Sequence, residues 1–132
     1  MIRSQIAPGG SAAIAMSVYD LDSGVTGQYS EVFTTLTQPA YYVTPLRPSS
    51  GNTIFSTIAV NEDATRFTST ALGTPLDNPS NPYYLSDLQA ARAVTFFYYP
   101  RLGYIEANFQ VTYTGEGDGG GRNVLFLSLI HI

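Results

Sequence analysis

The chain of 132 residues contains no cysteine, no tryptophan and no lysine, and its one histidine, His131, is the penultimate residue. The lack of cysteine excludes disulfides, thiolate zinc sites and cysteine nucleophiles. A single histidine excludes a histidine-dependent catalytic triad and a multi-histidine metal site. Only six residues are basic, against ten acidic ones. Because nucleic-acid affinity depends on clustered positive charge, we expect no nucleic-acid partner.

Long apolar runs are also missing. No segment approaches the roughly 20 apolar residues of a membrane span, so we expect no membrane insertion. Charged residues make up only 12% of the chain, whereas tyrosine occurs ten times. Such a polar but sparsely charged composition, rich in residues that favour pleated surfaces, suits an extracellular or cell-surface β domain.

The length fits one domain, which we assign to residues 1–126. The last residues, 127–132, read LSLIHI and resemble translated sequencing-adapter sequence. We therefore expect a non-native tail there, with a genuine apolar last strand as the alternative.

Short alternating apolar runs separated by turn residues predict an all-β fold, an antiparallel β-sandwich of about eight strands with jelly-roll-like topology. Residues 93–99, AVTFFYY, are apolar on both faces, as is typical of a central strand. Residues 104–113 alternate and should turn one apolar face inward. The predicted core comprises Ile14, Met16, Val18, Ile54, Ile58, Val94, Phe96, Ile105, Phe109, Val111 and Leu125.

One short helix is expected before the central strand. Ser86 and Gln89 form a capping-box pattern, and the helix should end near Ala91. The preceding residues, 73–84, contain three prolines and are predicted to form an ordered surface loop.

The pattern Asp20-x-Asp22-x-Gly24 is the sharpest chemical feature. Alternating Asp residues before a Gly turn can supply several of the oxygens that Ca²⁺ requires. Glu116 and Asp118, in the glycine-rich stretch before the last strand, could complete the shell if the first and last strands pair antiparallel. The alternative is an ordinary Asp-Ser-Gly turn at a strand end.

Two further polar groups allow more than one interpretation. Asp77 and Asn78 could bind an ion or a sugar hydroxyl, although Asx-Pro pairs more often start turns, here stabilised by Arg92 reaching Asp77 or Asp87. Arg122, after a run of glycines, could form an anion nest or a structural salt bridge to Asp20 or Asp118.

Adjacent tyrosines suggest a carbohydrate platform. Tyr41, Tyr42, Tyr83 and Tyr84 could stack on sugar rings, because an aromatic face offers apolar contact together with a hydroxyl. On a strand, however, one member of each pair must point away from the other, and cross-strand packing is the alternative role.

Three blocks carry a family resemblance: VYDLDSG at 18–24, GTPLDNPSNP at 73–82 followed by LSDLQ at 85–89, and GRNVLF at 121–126. In this order they resemble a group of uncharacterised secreted β-sandwich domains of marine microbes and microalgae. The chain departs from that pattern at Val124, where Phe is usual. The resemblance implies a secreted or surface-attached sandwich and supplies no reaction.

These observations favour a non-catalytic extracellular module for surface display or adhesion, with loops fixed by carboxylates and by Ca²⁺. The partners expected of it are glycans or other surface proteins. The first alternative is a carbohydrate-binding module that uses exposed tyrosines, and the second is an accessory fragment of a larger secreted enzyme. We do not expect an enzyme, because a hydroxyl nucleophile would lack an activating base.

Overall fold

The computed structural model describes residues 14–23, 29–74, 76–99, 103–113 and 125–130. These residues form eight strands and one helix. The strands are β1 (Ile14–Tyr19), β2 (Tyr29–Thr35), β3 (Tyr41–Val43), β4 (Ile58–Val60), β5 (Arg66–Ser69), β6 (Val94–Tyr98), β7 (Ala107–Tyr113) and β8 (Leu125–Ile130), and the helix is α1 (Asp87–Ala91).

The strands build two antiparallel four-stranded sheets, in the orders β3-β6-β1-β8 and β4-β5-β2-β7. The fold is therefore the predicted all-β sandwich. Within the sheets β1 pairs with β8, β2 with β7, β3 with β6 and β4 with β5. Such nested pairing, in which the chain folds back on itself as one long hairpin, accords with a jelly-roll-like topology.

The core lies between the sheets and is largely aromatic. Phe33 of β2 stacks on Phe96 of β6 at 5.2 Å between ring centroids. Phe67 of β5 meets Phe96 and Tyr42 edge to face, at 4.8 and 5.0 Å. Each of these pairs joins one sheet to the other and contributes about 0.5–1.5 kcal/mol beyond its buried area. They hold the two sheets against each other.

The predicted core residues fall into three groups. Val18, Ile58, Val94 and Phe96 are buried in the main cluster, with Ile14, Met16, Ile105 and Phe109 packed against it. Ile54 packs instead on a second cluster that includes Tyr19 and Leu85, since β4 begins only at Ile58. Val111 is half-buried on β7, and the side chain of Leu125 lies outside the described residues.

The predicted helix is present with both halves of its capping box. Ser86 Oγ accepts from the Gln89 N–H at 3.2 Å, and Gln89 Oε1 accepts from the Ser86 N–H at 3.0 Å. The central-strand prediction is also confirmed, because β6 lies between β3 and β1. Within the described residues, no helix is long and apolar enough to cross a membrane.

Residues 127–130, which the sequence predicts to be a non-native tail, continue β8 alongside β1, with Leu127 opposite Ser17. The predicted antiparallel pairing of first and last strands places the start of β8 beside the end of β1, with Leu125 opposite Tyr19.

Candidate metal centre

The site is built around the four residues that follow β1. Asp20 has φ of 59°, in the left-handed region, where Asp and Asn are the non-glycine residues most readily accommodated. The next three backbone N–H groups donate to three different segments: Leu21 to Arg92 O at 3.0 Å, Asp22 to Glu31 Oε2 at 3.1 Å, and Ser23 to Ala71 O at 2.7 Å. The turn after β1 is thus fixed against the rest of the sandwich.

Three carboxylates converge at this turn. Asp20, Asp22 and Asp77 each offer one oxygen, and these oxygens all lie within 4.8 Å of one another. Asp22 and Asp77 are buried, at 4% and 0% exposure. Carboxylates this close and this shielded repel one another strongly unless a proton or a cation lies between them. The three residues could therefore hold a metal ion.

A fourth carboxylate, Glu31 on β2, adjoins the three. It is 1% exposed, and its Oε2 accepts the Asp22 N–H, while its own N–H donates to Ser69 Oγ at 2.9 Å. Its charge adds to the negative potential at Asp20. Glu31 was missed from sequence, although its place on the same strand face as Phe33 is a signal that could have indicated an inward-facing acid.

The cluster faces one buried cation. Arg92 is the C-cap residue of α1 and 4% exposed, and its Nη1 lies 2.7 Å from Asp77 Oδ2. Its Nη2 donates to Leu72 O at 2.6 Å. Among the described residues it is the one buried basic side chain, so a single guanidinium faces four carboxyl groups. The site has excess negative charge unless a proton or a further cation is added.

Two carboxylate oxygens lack partners. Within the described part of the chain, Asp20 Oδ1 and Asp77 Oδ1 are buried and accept no hydrogen bond. Burial is the largest cause that raises the pKa of Asp20, from its ordinary value of 3.8 to about 8, followed by the charges of Asp22 and Asp77. Without a cation, Asp20 therefore holds a proton at neutral pH.

Gly73 brings the main chain against the site. Its N–H donates to Ser23 O at 2.6 Å, and a Cβ built on it would lie only 2.6 Å from Asp22 Oδ2. Any side chain at this position would displace the carboxylate, so glycine is required for the close approach. Gly73 therefore lets the backbone lie in contact with the Asp22 carboxylate.

The structure partly changes the group of metal-ligating residues predicted from the sequence. Asp20 and Asp22 do converge, but the third carboxylate is Asp77, which the sequence suggested mainly as a turn residue. Glu116 and Asp118, the predicted partners, and Arg122 lie outside the described residues.

The contacts predicted for the loop can be located in the structure. Arg92 was predicted to reach Asp77 or Asp87, and its guanidinium lies beside Asp77. Asp87 accepts instead from Ser50 Oγ at 2.6 Å and Asn52 Nδ2 at 2.9 Å, and these hydrogen bonds hold its pKa below the ordinary value. Asn78 contributes its carbonyl, which accepts from Gln89 Nε2 at 3.1 Å.

The four tyrosines predicted to bind sugar rings differ in how exposed they are to solvent. Tyr42 cannot be a platform residue: at 1% exposure it packs in the core against Phe67. Its neighbour Tyr41 faces the other side of β3 and stacks on Phe97 at 4.4 Å, because successive strand residues alternate between faces. Tyr83 and Tyr84 lie on a loop, where no alternation applies, and are 73% and 71% exposed.

The chemistry available at the site is therefore the binding of a cation by oxygen ligands. Comparisons with protein-family models, with curated proteins and with solved structures found no match to this chain.

Proposed function

We propose that the chain is a non-catalytic extracellular module for surface display or adhesion, and that Ca²⁺ held by Asp20, Asp22 and Asp77 fixes its end loops. The observation that carries the proposal is the burial of these carboxylates, with two unpartnered oxygens, against a single arginine. A divalent cation would replace their mutual repulsion by attraction.

Calcium fits the ligand set better than other metals do. The donors are all oxygens, and they come from irregular segments rather than from one rigid element, which suits the flexible coordination of Ca²⁺. Zinc favours Cys and His ligands, and Mg²⁺ demands near-ideal octahedral geometry. Carbonyl groups and water would supply the remaining ligands to reach about six to eight.

Burial also favours a structural role over a catalytic one. Asp22 and Asp77 are almost inaccessible, so a substrate could not reach an ion held between them without displacing the loop. Calcium sites of extracellular modules commonly have dissociation constants of about 0.1–1 mM, matched to millimolar extracellular Ca²⁺. A site of that affinity would be filled in the extracellular or cell-surface location that we propose.

Thermal unfolding tests the proposal. With a dissociation constant of about 0.1–1 mM, about 10 mM Ca²⁺ should stabilise the protein by about 1.4–2.7 kcal/mol. The midpoint should then rise by roughly 5–10 °C relative to EDTA. Mg²⁺ should have a smaller effect, and Asp77→Asn should abolish the shift. Glu62→Gln, which neutralises an exposed acid, is the matched control and should keep it. An identical midpoint in Ca²⁺ and EDTA would contradict the proposal.

The second candidate is a carbohydrate-binding module, and the exposure of Tyr83 and Tyr84 specifically favours it. Such a module could equally serve as an accessory part of a larger secreted enzyme. A printed array of neutral and anionic oligosaccharides distinguishes it from a purely structural display module, which should bind none of them.

A further inference from the structure

The two proposed roles, the ion site and the exposed tyrosines, share one loop. Residues 72–84 leave the sandwich beside Ser23 and lead into α1. Among the described residues of 74–84, Asp77 is the only buried one. Between Gly73 and Leu85, which are both buried and anchor its two ends, the loop therefore has little apolar packing and is attached by the Asp77 carboxylate and a few hydrogen bonds.

Those hydrogen bonds lie at both ends of the loop. Near its start, Thr74 N–H donates to Asp77 Oδ2 at 3.0 Å, and Gln89 Nε2 donates to the carbonyls of Leu76 and Asn78 at 3.3 and 3.1 Å. Near its end, the N–H groups of Tyr83 and Tyr84 donate to Asn81, at 3.0 and 3.1 Å. The second set is internal to the loop, so it shapes the tyrosine pair without attaching it to the sheets.

Whether Asp77 is repelled or attracted by its surroundings depends on the ion. Without an ion, the Asp77 carboxylate faces two nearby carboxyl groups. Arg92 is then its one buried basic neighbour among the described residues. When an ion is bound, it is shared by Asp20, Asp22 and Asp77, and it joins the loop directly to the end of β1. Occupancy of the site should therefore determine how firmly the loop is held.

The exposed surface of the loop has the chemistry of a saccharide site. Tyr83 and Tyr84 offer ring faces and hydroxyls, and Asn78, Ser80 and Asn81 are exposed uncharged donors and acceptors. Among the described residues from 76 to 86, no exposed side chain carries a charge. The absence of positive charge there argues against anionic ligands, while stacking rings and amides suit the faces and hydroxyls of a neutral sugar.

We propose that the loop of residues 72–84 binds uncharged carbohydrate through Tyr83 and Tyr84, and that it does so only while a cation at Asp20, Asp22 and Asp77 attaches the loop to the sandwich. The inference rests on the calcium site proposed above. It restricts the carbohydrate ligands to uncharged ones and makes the ion a regulator of their binding.

The test uses the printed oligosaccharide array, followed by calorimetry with the neutral oligosaccharide that binds best. In millimolar Ca²⁺ we expect neutral oligosaccharides to bind, and EDTA to weaken that binding by about tenfold or more. Tyr83→Ala and Tyr84→Ala should each weaken binding by a similar factor without altering the Ca²⁺-induced thermal shift. Tyr104→Ala, which removes a tyrosine of 71% exposure elsewhere, is the matched control and should bind like the wild type.

Limited proteolysis tests the attachment separately. Chymotrypsin cleaves after aromatic residues and leucine, and the loop offers Leu76, Tyr83 and Tyr84. Cleavage there should be several-fold faster in EDTA than in Ca²⁺. In Asp77→Asn the rate should no longer depend on Ca²⁺, while Glu62→Gln should behave like the wild type.

The outcomes distinguish the two proposals. A Ca²⁺-induced thermal shift without binding of any neutral oligosaccharide would overturn the carbohydrate inference and leave the ion site intact. Carbohydrate binding that is insensitive to EDTA would overturn the regulation. Self-association in sedimentation velocity that Tyr83→Ala abolishes would identify a second copy of the chain as the occupant and would also overturn the inference. Absence of any Ca²⁺ effect would remove the proposed function itself.

Discussion

Replacing Asp20 by Asn should stabilise the protein without Ca²⁺ and should prevent Ca²⁺ from stabilising it further. Without the ion, the wild-type carboxyl must carry a proton in the folded state, since its pKa is raised to about 8 by burial and by Asp22 and Asp77. Asn resembles that protonated carboxyl in shape and carries no charge. It also tolerates the left-handed backbone at this position, where φ is 59°. The variant therefore keeps the geometry and removes the cost of protonation.

The magnitude follows from the pKa difference. In the unfolded chain the carboxyl titrates near 3.8, so between pH 4 and 8 the folded state binds more protons than the unfolded state. Stability from this group is complete below pH 4 and declines as pH rises towards 8. For a fully shielded group the cost would reach about 4 kcal/mol at pH 7. Asp20 is only partly buried, and solvent screening reduces the figure to about 1–2 kcal/mol.

Urea denaturation in EDTA measures the effect. At pH 7, Asp20→Asn should exceed the wild type by about 1–2 kcal/mol in the free energy of unfolding, and the gain should vanish near pH 4. In about 10 mM Ca²⁺ only the wild type should gain about 1.4–2.7 kcal/mol, because the variant lacks a ligand, so the difference between the two proteins should shift by that amount towards the wild type. Asp63→Asn, which alters an exposed acid, should show neither effect. A variant less stable than the wild type in EDTA at pH 7 would show that ionising Asp20 imposes no cost on the folded state without Ca²⁺.

Three further predictions concern the surroundings of the site. Arg92→Met should lower the free energy of unfolding in EDTA by about 3–5 kcal/mol, because Asp77 would be buried without a cation; a loss below about 1 kcal/mol in urea denaturation would contradict this. Gly73→Ala should weaken Ca²⁺ binding in calorimetry by about tenfold or more, since its Cβ would meet Asp22 Oδ2 at 2.6 Å. Gly103→Ala, whose Cβ has nothing within 4 Å, should bind Ca²⁺ normally, and equal affinities for the two variants would be inconsistent with the close approach. Ser86→Ala should cost about 1 kcal/mol through loss of the helix cap while preserving the Ca²⁺-induced shift; an unchanged thermal midpoint would show that the cap contributes nothing.

Much of the fold could be predicted because the helix cap and the apolar pattern of each strand involve residues that are close in sequence. The capping box spans only four residues, and Ser86 and Gln89 form both of its hydrogen bonds. The apolar run of residues 93–99 becomes the interior strand β6, since a strand covered on both faces must be apolar on both. The prediction that Tyr42 stacks on sugar rings is wrong, because the sequence pattern shows that one tyrosine of a pair points inward but does not show which one.

The candidate site could be predicted only in part because its members are distant in sequence. Asp20 and Asp22 follow a recognisable strand end, whereas Asp77 arrives by a loop that no periodicity describes. The position of Arg92 follows from pairing: β1 runs antiparallel to β6 with Val18 opposite Val94, so the residues just after β1 lie beside those just before β6. Without the order of strands in the sheet, that neighbourhood cannot be deduced from composition or spacing.

We propose that one cation lies between Asp20, Asp22 and Asp77, and anomalous diffraction from crystals grown in Ca²⁺ or soaked in Tb³⁺ would locate it. We expect a single strong anomalous peak about 2.3–2.6 Å from an oxygen of each of the three carboxylates. The peak should be absent from crystals of Asp77→Asn. Crystals in millimolar Ca²⁺ or Tb³⁺ with no peak among these carboxylates, or with a peak only elsewhere on the surface, would contradict it.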